Sequence, residues 1–306
     1  MHSSRGARLW RRIWAARYLY LMFLPVFLYY VIFRYGPMLG LSIAFKNFNA
    51  FLGFDKSPWV GFKYFEQFFN SVYLWRLVRN TLLINLYDLL FNFPASILLA
   101  LLINEVQNRH FKKTVQTITY LPYFISSVVI ASMVVQFLSP SSGVVNNLIA
   151  SMGGERQYFM VQPESFRTIY TLMNLWKSIG WNSIIFLAAI SGINGELYEA
   201  CMVDGGGYMR RMWHITLPGI AGTIVVLLIM RLGHIMDAGY ETILLLQNNA
   251  NLETSDVIGT YVYRRGLKGG EYSYGTAVGM FQSVIGFALV IFANWLSRRY
   301  SETSLW

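Results

Sequence analysis

The chain has 306 residues, 55% of them hydrophobic and 13% charged, with a formal net charge of +10 and a mean hydropathy of +0.41. A soluble domain carries roughly 25% charged residues, so this composition leaves too little charge to cover a water-facing globule and implies an integral membrane protein. The basic residues gather at the ends of apolar runs, which suits lipid headgroups and topology rather than nucleic acid, and the single cysteine, Cys201, excludes an internal disulfide framework or a multi-cysteine metal site.

A helix that crosses the hydrocarbon core needs about 20 mostly apolar residues, and six runs qualify. The first covers 17–45, behind Arg5, Arg8, Arg11, Arg12 and Arg17. It is too long for a signal peptide and no small-x-small cleavage site follows it, so an uncleaved first span is expected. Arg34 and the pair Gly36-Pro37 interrupt it, and the helix is predicted to continue through them, tilted. The second run covers 78–103. The third covers 114–138 and contains Leu121-Pro122. The fourth covers 167–190. The fifth covers 215–236, entered at Pro218, whose missing N–H is harmless in a first turn. The sixth covers 274–297. An all-α polytopic fold in one membrane domain, residues 1–306, is the economical reading.

Lys and Arg orient the spans. Segments 1–17, 104–113, 191–214 and 298–306 are short and basic, with Arg109, Lys112, Lys113, Arg210, Arg211, Arg298 and Arg299 beside the N-terminal arginines. Segments 46–77, 139–166 and 237–273 are longer and richer in aromatics and turn residues. The first set is therefore expected on the cytoplasmic side, with both termini, although Arg264, Arg265 and Lys268 run against the trend. The protein is expected to be a multi-pass component of a bacterial cytoplasmic membrane, in contact with lipid.

No phosphate-binding Gly-x-x-x-x-Gly-Lys-Ser/Thr is present, no His-Glu-x-x-His, and no Gly-x-Ser-x-Gly elbow. His2, His110, His214 and His234 have no second histidine at ligand spacing. The chain therefore reads as neither an enzyme nor a metal site.

Polarity concentrates instead in the loop 191–214. Asn194 is a suitable N-cap, Glu196 lies where the helix dipole favours an acid, and "ELYEACMVD" fits a short helix that Gly205-Gly206-Gly207 ends. Ala200 and Cys201 are small enough for close approach. Leu197, Tyr198, Met202 and Val203 supply apolar anchors, and Glu199 and Asp204 supply charge. Such a helix suits a groove on another protein. The competing reading, a helix resting on headgroups, would show lysine and arginine on its polar face.

This stretch resembles the "EAA" loop of binding-protein-dependent ABC importer permeases: Glu-Ala-Ala, three residues, Gly, nine residues, Ile-x-Leu-Pro. The residues here are Glu199-Ala200-Cys201, Gly205 and Ile215-Thr216-Leu217-Pro218. Cys201 replaces the second alanine, and Asn194-Gly195 stands where an Asp-Pro helix start is expected. "SPWVGFKYFEQFF", "RNTLLI", "TITYLPYFIS" and "YSYGTAVGMFQSV" extend the likeness to the carbohydrate permeases of the LplB-like branch over nearly the whole chain. The resemblance implies a six-span type I importer permease that translocates an oligosaccharide or related glycan. Its implied partners are a second homologous permease subunit, an ATPase dimer and an extracytoplasmic substrate-binding lipoprotein. ATP and Mg would be bound by the ATPase, with no cofactor in this chain. The loop would be the coupling helix, with Glu199, Ala200, Cys201, Asp204, Gly205, Ile215, Leu217 and Pro218 as its signature.

Polar groups inside spans are costly and tend to face a cavity or the bundle interior. Asn85, Asp88 and Asn92 share one face of the second run. Asn174, Trp176, Lys177, Trp181 and Asn182 lie in the fourth, Arg231, His234 and Asp237 at the end of the fifth, and Gln282 in the sixth. Amides with tryptophans suit sugar. The same groups also bond helices to one another: Asp88 with Lys177 and Arg231 with Asp237 are possible pairs, and Gly275-x-x-x-Gly279 permits close helix contact. The aromatic segments 46–77 and 237–273 suit either a docked binding protein or, through Trp59 and Tyr64, the lipid interface. A stand-alone secondary transporter would use Asp88 for ion coupling and would not need the docking helix. A membrane-anchored scaffold would not need the polar residues within its spans.

Overall fold

The computed structural model describes Trp10 and residues 13–300, and among them the chain is helical with no strand; an isolated bridge joins Lys46 to Trp59. Arg5, Arg8, Arg11 and Arg12 of the basic N-terminal cluster lie outside the described residues.

Three helices are long and apolar enough to cross a membrane unaided: α1 (Arg17–Phe45), α2 (Leu74–Glu105) and, last in the chain, Tyr272–Tyr300. Three bent pairs raise the number to six. The first is α3 (Arg109–Phe124) with α4 (Ser127–Phe137). The second is α5 (Pro163–Ser191) with α6 (Gly195–Val203). The third is α7 (Tyr208–Gly219) with α8 (Ala221–Gly233). The C-terminal helix Tyr272–Tyr300 is α9.

α1 runs through Gly36-Pro37 as the sequence predicts. Pro37 has no N–H for the carbonyl one turn earlier, and the chain absorbs the gap with a π turn at Val31–Tyr35 and a 3-10 ending at Leu39–Phe45. From Arg17 to Met38 it buries nothing against the rest of the chain; only its end packs on α9.

The third and fifth spans, expected at 114–138 and 215–236, are each a bent pair of helices. α3 and α4 meet at 98°. Leu121–Phe124 tightens around the buried Pro122, Ile125 is extended, and Ser126 restarts the helix by accepting from the N–H of Val129 at 3.3 Å. In the fifth, Pro218 does not open the span. The helix already begins at Tyr208, opens into a π turn at Met212–Thr216 that accommodates the proline, and bends by 57° at Ile220 before α8. α8 alone has 13 residues, so the crossing needs both parts.

α2 and α5 form the central pair and pack along their length. Lipid is as apolar as leucine, so close packing and hydrogen bonds hold the helices together. Gly180 on α5 is one such contact: a Cβ there would lie 2.0 Å from the carbonyl oxygen of Thr119. Gly275 similarly abuts Gly266, whereas Gly279 touches nothing, so only half of the Gly-x-x-x-Gly pair makes a contact. Three apolar clusters run along the pair. One, at the end carrying the 191–214 loop, joins Ala100, Leu101, Phe186, Ile190 and Ile220. The middle one centres on Ile84, Phe166, Met173 and Ile243, and the far one on Phe68, Leu77, Ile258 and Val278.

At the far end the segments between spans fold into short helices, Lys63–Phe69, Val144–Ser151, Tyr240–Leu246 and Ile258–Val262 among them. The fully buried carboxylate of Asp256 secures the last of these. It accepts from Arg76 at 2.9 Å, Arg264 at 2.9 Å and the Thr260 hydroxyl at 3.0 Å, while the Asn80 amide of α2 donates to the carbonyls of Glu253 and Asp256 at 2.8 and 3.0 Å.

Candidate functional site

Two polar regions stand out: a surface helix at one end of the α2–α5 pair and a cleft along its middle.

The surface helix is α6. Asn194 caps it, its Oδ1 accepting from the Glu196 N–H at 3.1 Å. Its C-terminus is a Schellman turn: Gly205 takes φ +72°, its N–H donates to the carbonyl of Met202 at 3.0 Å, and that of Gly206 donates to Cys201 at 2.7 Å. Gly206 is a second constrained position. A Cβ there would lie 2.3 Å from Cys201 Sγ, so the larger side chain at 201 occupies space that only glycine leaves open. Glu199, Ala200, Asp204 and Gly205 are exposed, Cys201 is half-buried, and Val203 is 88% exposed. Leu197, Met202 and Val203 therefore point away from the rest of the chain, whereas Tyr198 is half-buried.

Residues 215–218 of the motif, within helix α7, do a different job. Ile215 and Leu217 are half-buried, and Leu217 packs with Ile193 and Met212 on the apolar cluster at this end of α2, α5 and α8; Pro218 is exposed. The Tyr198 hydroxyl meets the buried Thr216 hydroxyl at 3.1 Å, and Arg211 pairs with Glu105 at the end of α2 at 3.6 Å. A push on α6 thus reaches α2, α5 and α8 through side-chain contacts. Glu105, Thr216 and Gly206 carry no spacing signal that singles them out in advance.

In the cleft, Asp88 is the hub. Its Oδ1 accepts from the amides of Asn174 and, at 3.2 Å, Asn92, and its Oδ2 pairs with Arg231 of α8. The expected alternatives, Asp88 with Lys177 and Arg231 with Asp237, do not form. Lys177 donates to the Ser127 hydroxyl at 2.7 Å, turned toward α4, and Asp237 accepts from the N–H of Gly239 at 3.4 Å. Asn92 also donates to Ser178 at 2.7 Å, and Asn85 donates to its own helix at Thr81.

Asn85, Asp88, Asn174, Arg231 and His234 line a cavity of about 330 Å³ on the far side. Asn92, Ser96, Asn182, Arg231 and His234 line another of about 210 Å³ nearer the loop end. Gln282 lines a third beside α9 and donates to the carbonyl of Met236 at 2.7 Å. Trp181 stacks on Tyr123, ring centroids 4.4 Å apart and 2° from parallel, and so fastens the α3–α4 break to α5. Trp176 lies among apolar side chains of α4 and α5, away from the polar cleft. Ser96, Tyr170 and Ser178 join the cleft without having stood out in sequence, because a lone hydroxyl in an apolar run is common.

A bundle of apolar helices with a polar cleft through its middle is the outline of a membrane transport subunit. Residues 92–302 match the family model described as binding-protein-dependent transport system inner membrane component, and the chain belongs to that family. It is 45% identical over 289 residues to Protein LplB of Bacillus subtilis (strain 168), covering 94% of this chain and 91% of the relative. It is 44% identical over 304 residues to the polygalacturonan/rhamnogalacturonan transport system permease protein YteP of the same organism, covering 99% and 95%. Its fold superposes on a chain of a bacterial alginate ABC transporter, crystallised in complex with its alginate pentasaccharide-bound periplasmic protein, with a TM-score of 0.89 and 48% identity, covering 97% of this chain and 100% of that one.

Proposed function

We propose that the chain is the permease subunit of an ABC importer that carries an oligosaccharide, in particular an acidic one built from uronate sugars, across the cytoplasmic membrane. One relative, matched over nearly its whole length, is named for polygalacturonan and rhamnogalacturonan, and a solved neighbour for alginate. The cleft presents a guanidinium and an imidazole beside amides, which suits carboxylated sugars. Cavities of this size sit at or below the small end of ligand sites, in keeping with a path whose other wall comes from a second, homologous permease.

The observation that carries the reading is α6, a capped helix with Leu197, Glu199, Met202, Val203 and Asp204 exposed, followed by α7, whose Met212 and Leu217 pack on the core at this end. In this reading it docks in a cleft of a separate ATPase dimer, which binds ATP and Mg and performs the hydrolysis, and Glu199 makes the charged contact. The 191–214 loop and both termini then face the cytoplasm, and the far end receives the substrate-binding lipoprotein. Closure of the ATPase on ATP moves α6, and with it the ends of α2, α5 and α8. A secondary transporter with Asp88 as the ion-coupling carboxylate is less favoured, because Asp88 is already engaged by Arg231 and two amides.

The test is Glu199→Lys and Gly205→Asp in the reconstituted importer. Both variants are expected to insert; Glu199→Lys should keep the parent's thermal stability, whereas Gly205→Asp puts a side chain at φ +72° and should loosen the end of α6 locally. Substrate-loaded binding protein should no longer accelerate ATP hydrolysis, and uptake should fall about tenfold or more, as loss or reversal of an interfacial charge contact implies. Uptake and stimulated hydrolysis at the unmodified level in both variants would overturn the assignment of α6.

A further inference from the structure

The charge pair in the cleft sits at a boundary. Arg231 and His234 line both the far cavity and the one nearer the loop end. Between those cavities the Arg231 guanidinium reaches across from α8 to Asp88 on α2. The two partners are unequally committed. The Asp88 side chain is 5% exposed and that of Arg231 is 44% exposed. Asp88 also has two amide donors on Oδ1, from Asn92 and Asn174, that do not involve Arg231, while its buried Oδ2 faces Arg231 alone. A buried carboxylate stripped of its partner is costly, but this one would retain two hydrogen bonds on Oδ1. Among the described residues Arg231 pairs with no other carboxylate, Asp237 being turned back onto the backbone of Gly239, and the other cation of these spans, Lys177, is held by Ser127 on the α4 side.

We infer that Arg231 is a carboxylate-exchange site: the guanidinium that closes the partition by binding Asp88 opens it by binding a carboxylate of the passing sugar instead. The swap conserves the charge-assisted pair, one carboxylate for another, so an acidic sugar crosses the boundary without leaving Arg231 unpaired. A neutral sugar offers only hydroxyls, which cannot replace the lost ion pair. Arg231 would therefore be a specificity-determining residue in the membrane, acting after the binding protein has made its own selection. This inference rests on the acidic-oligosaccharide reading above and deepens it.

The experiment uses the complete importer in vesicles with ATP on the ATPase side. Binding protein is supplied loaded with alginate pentasaccharide or with its carboxyl-methylated form, and each uptake rate is normalised to measured loading. The acid-to-ester ratio is the readout. It should exceed one in the unmodified importer and drop about tenfold in Arg231→Gln, the factor expected when a charge-assisted contact becomes a neutral one. Asp88→Asn, which leaves Arg231 in place, should keep the preference for the acid. The pair Asp88→Asn with Arg231→Gln removes both charges while retaining hydrogen-bonding side chains; it should assemble like the unmodified protein and show the lowered ratio, which covers the case where Arg231→Gln alone misfolds. An assembled Arg231→Gln or double variant that slows acid and ester alike, with the ratio unchanged, would overturn the exchange role and leave the acidic reading standing. An unmodified importer with no preference for the acid would overturn both.

Discussion

The cleft and the surface helix α6 are built to opposite rules. In the cleft, Asp88, Asn92, Asn174, Ser178 and Arg231 bond to one another across three helices, so the groups suited to substrate are also the groups that hold the bundle together. On α6, Leu197, Glu199, Met202 and Val203 face outward and make no side-chain hydrogen bond among the described residues, and the helix is held by its two caps and the Tyr198–Thr216 contact. Folding and function share residues in the first region and are separated in the second. Substitutions in the interlocked parts of the molecule should therefore register as lost stability, and those on α6 as lost coupling.

The contrast is sharpest at Asp256. Its carboxylate is fully buried and shared by Arg76, Arg264 and Thr260. Asp256→Ala leaves two guanidiniums facing one another without their anion, and removing one partner of a buried ion pair costs about 3 kcal/mol or more. Thermal unfolding of the purified protein should show a larger loss than Gly180→Ala or Asn194→Ala produces, together with exposure of residues 252–268 to protease. A near-normal melting temperature would mean that this carboxylate does not hold the far end. The next effect belongs to Gly180→Ala. The added methyl would sit 2.0 Å from Thr119 O, so α3 must move off α5, and overpacking of this kind costs about 2 kcal/mol. The Tyr123–Trp181 stack lies next to that contact, so a change in tryptophan fluorescence should accompany the drop in stability. If Gly180→Ala proves as stable as the parent, the α3–α5 contact is softer than its geometry indicates.

How much of this was legible in the sequence follows the same division. Local signals were readable: Asn194 as a cap, Gly205 as a stop, the passage of α1 through Gly36-Pro37, and the spacing from Glu199 to Pro218. Each depends on residues a few positions apart. Pairing across helices was not. The sequence offers Lys177 for Asp88, and nothing local chooses Arg231 instead. The pair forms only once α8, beyond the 57° bend at Ile220, is placed beside α2. The 98° break after Pro122 was half visible, since proline marks a boundary but not its angle. Trp181 read as a sugar platform because its flat face suits one, yet Tyr123 covers that face from a distant segment.

The smallest expected effect tests the separation most directly. Asn194→Ala removes the side-chain oxygen that accepts from the Glu196 N–H and also the amide that reaches the Glu196 carboxylate at 3.1 Å. Loss of an N-cap costs a helix about 1 kcal/mol. Because α6 contributes little to the core, that cost should appear as fraying of residues 195–198, seen as faster amide exchange there, with the melting temperature of the protein unchanged. Docking on the ATPase would then have to restore the first turn, and about 1 kcal/mol corresponds to roughly a fivefold weaker association. Such a loss, measured by titrating the ATPase onto the reconstituted permease, is expected without any change in the acid-to-ester ratio set in the cleft. If Asn194→Ala instead lowers the melting temperature as far as Gly180→Ala does, α6 is part of the fold's support, and the two regions are less separate than their contacts imply.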